Sequence, residues 1–328
     1  MRLFQFADHL NIDFVKGRYL AFVITGIMVL GSIGLIATKG LNFGIDFSGG
    51  IMMEIQTPDA PDLAKMRSDL NGLGLGNISI QEFGTDKDIM IRVPEQKGGE
   101  DAQKEAIQKI KETIDASYVS SEVKVEYRRS EYVGPQVGDE LKQSGLIAFL
   151  LTIAAILGYI WYRFEWQFGV AAIITLVHDT VTVVGLFSLL WMNFDLGTLA
   201  AVLLVAGYST NDTVIVFDRI RENRRKFKKT PMYDIINMSV NQTMARTLNT
   251  SFTTLLSLIA LWVFGGEVIR DFVNAMIFGI VIGTYSSVYV ASSSLLYFKF
   301  EDSAKRGDAE AVEGEENGDD VSEDGARA

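Results

Sequence analysis

The chain has 328 residues, of which 48% are hydrophobic, and it carries a formal net charge of −11. It contains no cysteine, which excludes disulfide bonds, a thiol nucleophile and a thiolate metal site. The acidic balance argues against a nucleic-acid partner, because nucleic acids select a basic face. Much of the acidic excess lies in residues 39–142 and 299–328, away from the long apolar runs. This distribution indicates a membrane protein with two acidic parts in water.

Six apolar runs are long enough to cross a membrane, since a spanning helix needs about 20 mostly apolar residues. The first, Tyr19–Thr38, ends without a small-residue cleavage site, which favours a retained anchor over a secretory signal. The other five runs are Ser144–Tyr162, Gln167–Met192, Leu196–Phe217, Thr247–Phe264 and Phe272–Phe298. The pattern predicts a polytopic α-helical membrane protein with six transmembrane helices, one at residues 19–38 and five within residues 143–298.

The segment between the first two helices, residues 39–142, has the patterning of a small folded domain. Strand-like alternation occurs at Ile51–Thr57, Asn77–Phe83, Asp88–Val93 and Ser121–Tyr127. Helical spacing occurs at Pro61–Leu70, with Thr57 or Asp59 as the start signal, and at Gly99–Ala116. The order β-α-β-β-α-β predicts one α+β ferredoxin-like extracytoplasmic domain. We interpret it as a binding or spacer module rather than an enzyme, because this fold by itself identifies no function.

Basic residues in short loops mark the cytoplasmic side of a membrane protein. Here they cluster on one side: Arg2, Lys16 and Arg18 before the first helix, Arg163 after the second, and Arg219, Arg221, Arg224, Arg225, Lys226, Lys228 and Lys229 after the fourth. The opposite short loops contain only Arg270. We therefore predict that both termini are cytoplasmic, as residues 1–18 and an acidic, disordered tail of residues 299–328, together with a basic loop of residues 218–245.

Asp212 lies well inside the fourth span, where a charged side chain costs about 2.5–3.5 kcal/mol on insertion scales. Its polar neighbours between Gly207 and Thr213 suit a helix that faces a wet or protein-lined path. We predict that Asp212 binds and releases a proton, because intramembrane carboxylates mark ion and proton pathways. The alternative is a carboxylate paired for structure. Arg246 opens the fifth span and either reaches Asp212 or extends to the cytoplasmic surface.

A second group of polar residues lies in the third and fourth spans. His178 and Asp179 are mid-span in the third helix, and we assign them, with Thr210 and Asn211, to a polar network that supports the proton site. Structural hydrogen bonding is the alternative role. A metal site is disfavoured, because the only other histidine of the chain is His9 at the N-terminus.

Three further features of the sequence give weaker predictions, on helix packing, on salt bridges and on ATP hydrolysis. Gly279 and Gly283, four residues apart in the sixth span, allow close helix packing. Asp218 and Glu222 lie among arginines at the end of the fourth helix, where we expect interfacial salt bridges. The chain has no Walker A motif, so we predict that it hydrolyses no ATP by itself and is not an enzyme.

Four segments carry a resemblance to a known family: LNFGIDFSGG at residues 41–50, VGPQVG at 133–138, GYSTNDTVIVFDRIREN at 207–223 and NQTMARTLNTSFTT at 241–254. They resemble the SecF family, the smaller membrane subunits of the bacterial SecD–SecF complex of the Sec protein-export machinery. The first two segments contain the residues of a structural motif: Gly44, Asp46, Gly49, Gly50, Gly134 and Pro135. The acidic tail is not part of the family pattern.

The resemblance implies a function that the residues alone do not establish. Family members act with a SecD subunit and the SecYEG channel on an unfolded preprotein, in the inner membrane. They use the proton-motive force, so that protons are the coupling ion and no cofactor is expected. Asp212 then matches the proton-carrying carboxylate, and Arg246 its basic partner. The resemblance also implies membership of the resistance-nodulation-division superfamily of transporters. Two alternatives stay open: half of a proton-coupled small-molecule exporter of that superfamily, or a non-catalytic scaffold.

Overall fold

The structure, a computed structural model, describes residues 12–76, 78–118, 124–265 and 269–300. Its α-helices are α1 (Arg18–Lys39), α2 (Ile45–Ser48), α3 (Leu63–Asn71), α4 (Gly99–Tyr118), α5 (Pro135–Arg163), α6 (Trp166–Leu190), α7 (Leu196–Lys226), α8 (Met232–Phe264) and α9 (Arg270–Tyr285). Its strands are β1 (Asn42–Phe43), β2 (Gly50–Gln56), β3 (Ser79–Phe83), β4 (Thr85–Val93), β5 (Glu126–Val133) and β6 (Asn193–Phe194). Residues 1–11 of the predicted N-terminal segment and 301–328 of the predicted acidic tail lie outside the described residues.

Six helices are long and apolar enough to cross a membrane: α1, α5, α6, α7, α8 and the last span, which extends from α9 to Tyr297. This confirms the predicted six-helix architecture. The last span continues beyond α9 through a π-helical segment, Ser286–Ala291, and further short helical turns. Buried side chains are most frequent in α6 and the last span and least frequent in α5. The third and sixth spans therefore form the centre of the bundle, and apolar side chains on the outer helices face lipid.

The predicted basic loop of residues 218–245 is mostly helical. Helix α7 continues to Lys226 and α8 begins at Met232, so that only residues 227–231 connect them. Hydrogen bonds join the two helices where they leave the apolar region: Asn223 Nδ2 donates to Ser239 Oγ (2.8 Å) and Arg219 Nε to Gln242 Oε1 (2.7 Å). Hydropathy detects the part of a helix that lies in lipid, and it gives no signal for polar turns that project into water.

The outer α+β unit is a four-stranded antiparallel sheet in the order β3-β4-β2-β5. Helices α3 and α4 cover one face, where Ile51, Met53 and Ile55 of β2 pack with Ile110 and Ile114 of α4. With α3 between β2 and β3, and α4 between β4 and β5, the element order is β-α-β-β-α-β. The unit therefore has the order predicted for a ferredoxin-like domain.

Two details of this unit differ from the prediction. Helix α3 begins after Asp62, whose carboxylate accepts hydrogen bonds from the amides of Ala64 and Lys65, and neither Thr57 nor Asp59 caps it. The last strand covers Glu126–Val133, where residues 121–127 were expected. Its polar residues Arg129 and Glu131 lie on the sheet face opposite the helices, which is why apolar alternation did not reveal it. Residues 77 and 119–123 lie outside the described residues.

Short parallel strands join the outer unit to the membrane helices. β1 pairs with β6, so that Asn42 lies opposite Asn193, and the amide of Gly44 donates to Phe194 O (2.9 Å). Asp46 Oδ2 accepts from the amide of Leu196, the first residue of α7 (3.1 Å). The residues of the GIDFSGG segment thus contact the loop that begins the fourth span.

The remaining motif residues lie where the chain enters strand β2 and where it leaves the outer unit to begin α5. Gly49 and Gly50 have φ values of 67° and 113°, which favour glycine. A Cβ at position 50 would also lie 2.5 Å from Val93 O. Gly134 is the N-cap residue of α5 and Pro135 is its first residue. This position suits proline, because an N–H group in the first turn would have no acceptor within the helix.

Candidate functional site

A buried carboxylate, Asp179, lies at the centre of the membrane helices. Its side chain on α6 is fully buried. It accepts hydrogen bonds from Ser209 Oγ of α7 and from Ser286 Oγ of the last span, the latter at 2.9 Å. His178 Nδ1 lies 2.8 Å from Asp179 Oδ1, while His178 Nε2 has no partner among the described residues. The carboxylate of Asp179 therefore links three helices: α6, α7 and the last span.

Further hydroxyl pairs join neighbouring helices of the bundle. Thr213 and Ser287 are joined through their hydroxyls (2.8 Å), and Ser251 of α8 is joined to Thr284 of α9 (2.7 Å). The sequence prediction included His178 and Asp179 but missed Ser209 and Ser286. A repeated run of serine in the apolar sixth span, Ser286–Ser287 and Ser292–Ser294, is the signal that could have found part of it.

Asp212 is fully buried on α7 but lies outside this network. Neither of its carboxylate oxygens accepts a hydrogen bond from a described residue. Arg246 is exposed on α8 and interacts electrostatically with Asp212. No hydrogen bond or ion pair within 4.0 Å joins the two side chains in the described structure. A buried carboxylate without a donor is costly as an anion, which makes Asp212 chemically distinct from Asp179.

Two predicted network residues are not brought into the site. Thr210 Oγ1 donates to Ala206 O of its own helix (2.7 Å), and Asn211 is exposed on the surface of α7. Gly207 is exposed on the same helix, and a Cβ added there would meet no atom within 4 Å. The middle of α7 therefore has one face that carries the buried carboxylate and another that presents a polar side chain to its surroundings.

The two glycines of the sixth span lie at the contact between α9 and α7. A Cβ added at Gly279 would overlap the side chain of Val205, and one added at Gly283 would lie 2.9 Å from Ser209 Cβ. The absence of side chains at these positions lets the helices approach closely enough for Ser209 and Ser286 to share Asp179.

At the end of α7, the predicted salt bridges are present. Asp218 pairs with Arg163 (3.3 Å) and Arg221 (2.9 Å), and Glu222 pairs with Arg219 (2.6 Å). A cleft of about 930 Å³ opens here between α7 and α8, and it extends to Arg246. Among the described residues, no cluster of three or more histidine, aspartate or glutamate side chains could hold a metal ion.

Six helices long and apolar enough to cross a membrane, with a carboxylate network buried between them, define a polytopic membrane protein. The family model "Protein export membrane protein SecD/SecF, C-terminal" matches residues 113–301, and the "SecD/SecF GG Motif" matches residues 34–57. The chain is 43% identical over 297 residues to the protein translocase subunit SecF of Rickettsia bellii (strain OSU 85-389), covering 90% of this chain and 96% of that protein. It is 44% identical over 291 residues to the subunit of the same name from Desulfurispirillum indicum, covering 88% and 92% respectively. The chain belongs to the SecF family.

Solved structures agree with this assignment. The crystal structure of SecDF from Thermus thermophilus, a translocon-associated membrane protein, matches with 33% identity and a TM-score of 0.80. The match covers 88% of this chain but only 39% of that chain. A super-membrane-facing form of SecDF matches with a TM-score of 0.65 over 93% of this chain. This chain therefore corresponds to about two fifths of the SecDF polypeptide.

Proposed function

We propose that this chain is the SecF subunit of a bacterial Sec protein translocase, which uses the proton-motive force to complete the passage of unfolded preproteins through SecYEG. It works in the inner membrane without hydrolysing ATP and with protons as its coupling ion. Family membership supports the translocase role. The observation that carries the proton role is Asp212, a fully buried carboxylate that no described residue supplies with a hydrogen bond.

A SecD-like subunit is the proposed partner. More than half of the SecDF chain has no counterpart here, since the match covers 39% of it. The exposed face of α7, with Gly207 and Asn211 in the middle of the span, supports the same partner. A polar side chain is costly against lipid, and a facing helix would cover it. We propose that this face of α7 lies against the membrane helices of the SecD-like subunit.

The proposed coupling step is protonation and release at Asp212. Uptake of a proton removes the cost of a buried anion, and the positive charge of Arg246 stabilises the carboxylate after release. The cleft that extends from Arg246 to the cytoplasmic end of α7 supports an exit to that side. Each proton supplies about 1.36 kcal/mol per pH unit and about 2.3 kcal/mol per 100 mV.

The Asp179 network supports a way to transmit that step. Ser209 lies on the same helix as Asp212, and its hydroxyl donates to Asp179. Ser286 of the last span also donates to Asp179. A shift of α7 on protonation would therefore be felt by α6 and the last span together. A two-state rearrangement of this kind is biased by the proton and moves the outer domain.

The proposed orientation places both termini and the α7–α8 connection in the cytoplasm and the outer α+β unit in the periplasm. Arg219, Arg221, Arg225 and Lys226 all lie at the cytoplasmic end of α7, as expected for short basic segments that stay inside. In the exporter alternative, the same coupling site would drive the export of small molecules. In the scaffold alternative, Asp212 would not bind or release a proton.

The deciding experiment follows the release of a preprotein from the channel into the lumen of inverted membrane vesicles that contain this chain, a SecD-like subunit and SecYEG. Release is compared with and without a proton gradient, for the wild type, Asp212→Asn and the matched surface variant Asp218→Asn. We expect the gradient to accelerate late release for the wild type and Asp218→Asn only. An equal response of Asp212→Asn would favour the scaffold, and gradient-driven efflux of small molecules without preprotein release would favour the exporter.

A further inference from the structure

The outer α+β unit faces the membrane helices across a charged cavity of about 340 Å³. The sheet face opposite α3 and α4 forms its outer wall, and the loops that begin α7 and α9 form its inner wall. Charged side chains from both walls line it: Asp46, Glu54, Arg92, Arg129, Glu131, Asp195 and Asp271. The contact between the two parts of the chain therefore contains charged groups from both of them.

A continuous path of hydrogen bonds crosses this contact. Arg92 Nη1 of β4 donates to Asn42 Oδ1 (3.4 Å), and Asn42 Nδ2 donates to Asn193 Oδ1 (3.1 Å). The amide of Asn193 then donates to Asp271 Oδ2 in the first turn of α9 (3.0 Å). A side chain of the outer sheet is thus connected to the start of the last span through three hydrogen bonds.

Electrostatic attraction acts in parallel with this path. Burial lowers the pKa of the Arg92 guanidinium, and the Asp271 and Asp195 carboxylates oppose that effect. Arg92 Nε is buried without a partner among the described residues. The guanidinium is therefore held partly by the field of two carboxylates at the beginnings of α9 and α7, and a field depends less strictly on contact geometry than a hydrogen bond does.

Both helices that face Arg92 lead directly to the polar site inside the membrane. Asp195 caps α7, the helix that carries Ser209 and Asp212, with its carboxylate accepting from the amide of Thr198. Asp271 lies at the start of the span that carries Ser286. A displacement of either helix along its axis would change the position of a carboxylate relative to Arg92.

We propose that Arg92 is a positioning residue that holds the outer unit to the outer ends of α7 and α9 and so transmits their movement to it. The transmitting role rests on the proposed function, whereas the holding role does not. The chain offers a matched control in Arg128 of β5, whose ion pair with Asp88 (2.9 Å) lies within the outer unit. Arg92→Gln and Arg128→Gln each remove one positive charge from the same sheet.

The test measures the separation between the outer unit and the membrane helices. Because this chain has no cysteine, spin labels can be placed at Ala116→Cys on α4 and Leu190→Cys at the outer end of α6 without labelling it elsewhere; a cysteine-free SecD-like subunit is used. Both positions are exposed. Pulsed electron paramagnetic resonance on the full chain, reconstituted with its SecD-like subunit, then gives the distance distribution. We expect Arg92→Gln to broaden the distribution and Arg128→Gln to leave it as in the wild type.

Adding Asp212→Asn to each background tests transmission, since the amide mimics the protonated acid. We expect this substitution to shift the mean distance in the wild-type background and in Arg128→Gln, and to lose that shift in Arg92→Gln. An unchanged distribution in Arg92→Gln would overturn the holding role. A retained shift in Arg92→Gln would overturn transmission. Absence of a shift in the wild-type background would instead count against Asp212 as the coupling site, while the effect of Arg92→Gln alone would still decide the holding role.

Discussion

Gly283 of α9 faces Ser209 of α7, and a Cβ added at position 283 would lie 2.9 Å from the Cβ of Ser209. Real Cβ atoms essentially never approach this closely, so the serine position depends on the missing side chain of the glycine. Ser209 in turn donates to Asp179. The contact therefore connects helix packing with the hydrogen bonding of the buried carboxylate.

Gly283→Ala is expected to separate α7 from α9 and to lower the free energy of unfolding by about 1–3 kcal/mol, as overpacking does. The matched control is Gly158→Ala on α5, where an added Cβ would meet no atom within 4 Å. That variant should be neutral or stabilising by up to about 1 kcal/mol, because alanine favours the helix. Thermal unfolding in detergent compares the two, and equal stabilities would contradict the packing argument.

Asp179→Asn is expected to destabilise the bundle by about 1–3 kcal/mol, because the amide replaces one acceptor oxygen with a donor. Ser209 and Ser286 both donate to Oδ2 and His178 lies against Oδ1, so one side of the network then faces an amide N–H in place of a carboxylate oxygen. Asp218→Asn serves as the comparison, since exposed ion pairs contribute about 0–1 kcal/mol. The measurement is denaturant unfolding of the purified chain, and a wild-type midpoint for Asp179→Asn would refute the network.

Asp212→Asn should behave in the opposite way. It removes a buried charge that receives no hydrogen bond from the described residues, so stability is expected to equal or exceed that of the wild type. Gradient-driven release should nevertheless fall to the level seen without a gradient. Unfolding and release are measured on the same preparation. Substantial loss of stability would mean that the carboxylate has a structural role.

Arg246→Met is expected to leave folding intact, because Arg246 is exposed, and to remove the response of release to the proton gradient. Without the arginine, the anion formed on release of the proton has lost its electrostatic partner. Arg225, which lines the same cleft from the last turn of α7, provides the control: Arg225→Met should keep the response. A full response in Arg246→Met would exclude the arginine from the coupling step.

Glu54 gives a prediction about pH. Burial raises the pKa of its carboxyl above the ordinary value of 4.5, against the opposing charge of Arg129. A raised pKa in the folded state means that the folded protein binds more protons, so stability is lost as pH rises from 4.5 through the folded pKa. In Glu54→Gln, the melting temperature should therefore fall less steeply with rising pH over this range than in the wild type. Glu126→Gln, at an exposed position of β5, should leave the wild-type slope unchanged.

The sequence predicted the membrane helices well and their ends poorly. Apolar runs locate lipid-embedded turns directly, which is why all six spans were found. Helix α5 begins at Pro135 although the prediction began at Ser144, because its first turns are polar and stand outside the apolar layer. The same reason explains the helical residues 218–226, which were expected to form a loop.

The polar site was predicted in part. Asp179 and Asp212 were found because each carboxylate is conspicuous within an apolar run, but their different environments were not. The two serine donors to Asp179 are 30 and 107 residues away along the chain, and a local sequence pattern cannot predict pairs so far apart. Asn211 was assigned to the network from its position beside Asp212, although adjacent residues of a helix point in different directions.

The π-helical segment Ser286–Ala291 fixes the rotational phase of the last span. Gly283, before the segment, faces α7, and Ser286, its first residue, faces Asp179. After the segment, Leu295 joins the apolar cluster around Phe217. A π-helical turn accommodates one residue more than an α-helical turn, and each residue rotates an α-helix by about 100°. Deleting one residue here would turn one of these two faces away from its partner. Natural variation should therefore change the side chains of this segment but keep its length.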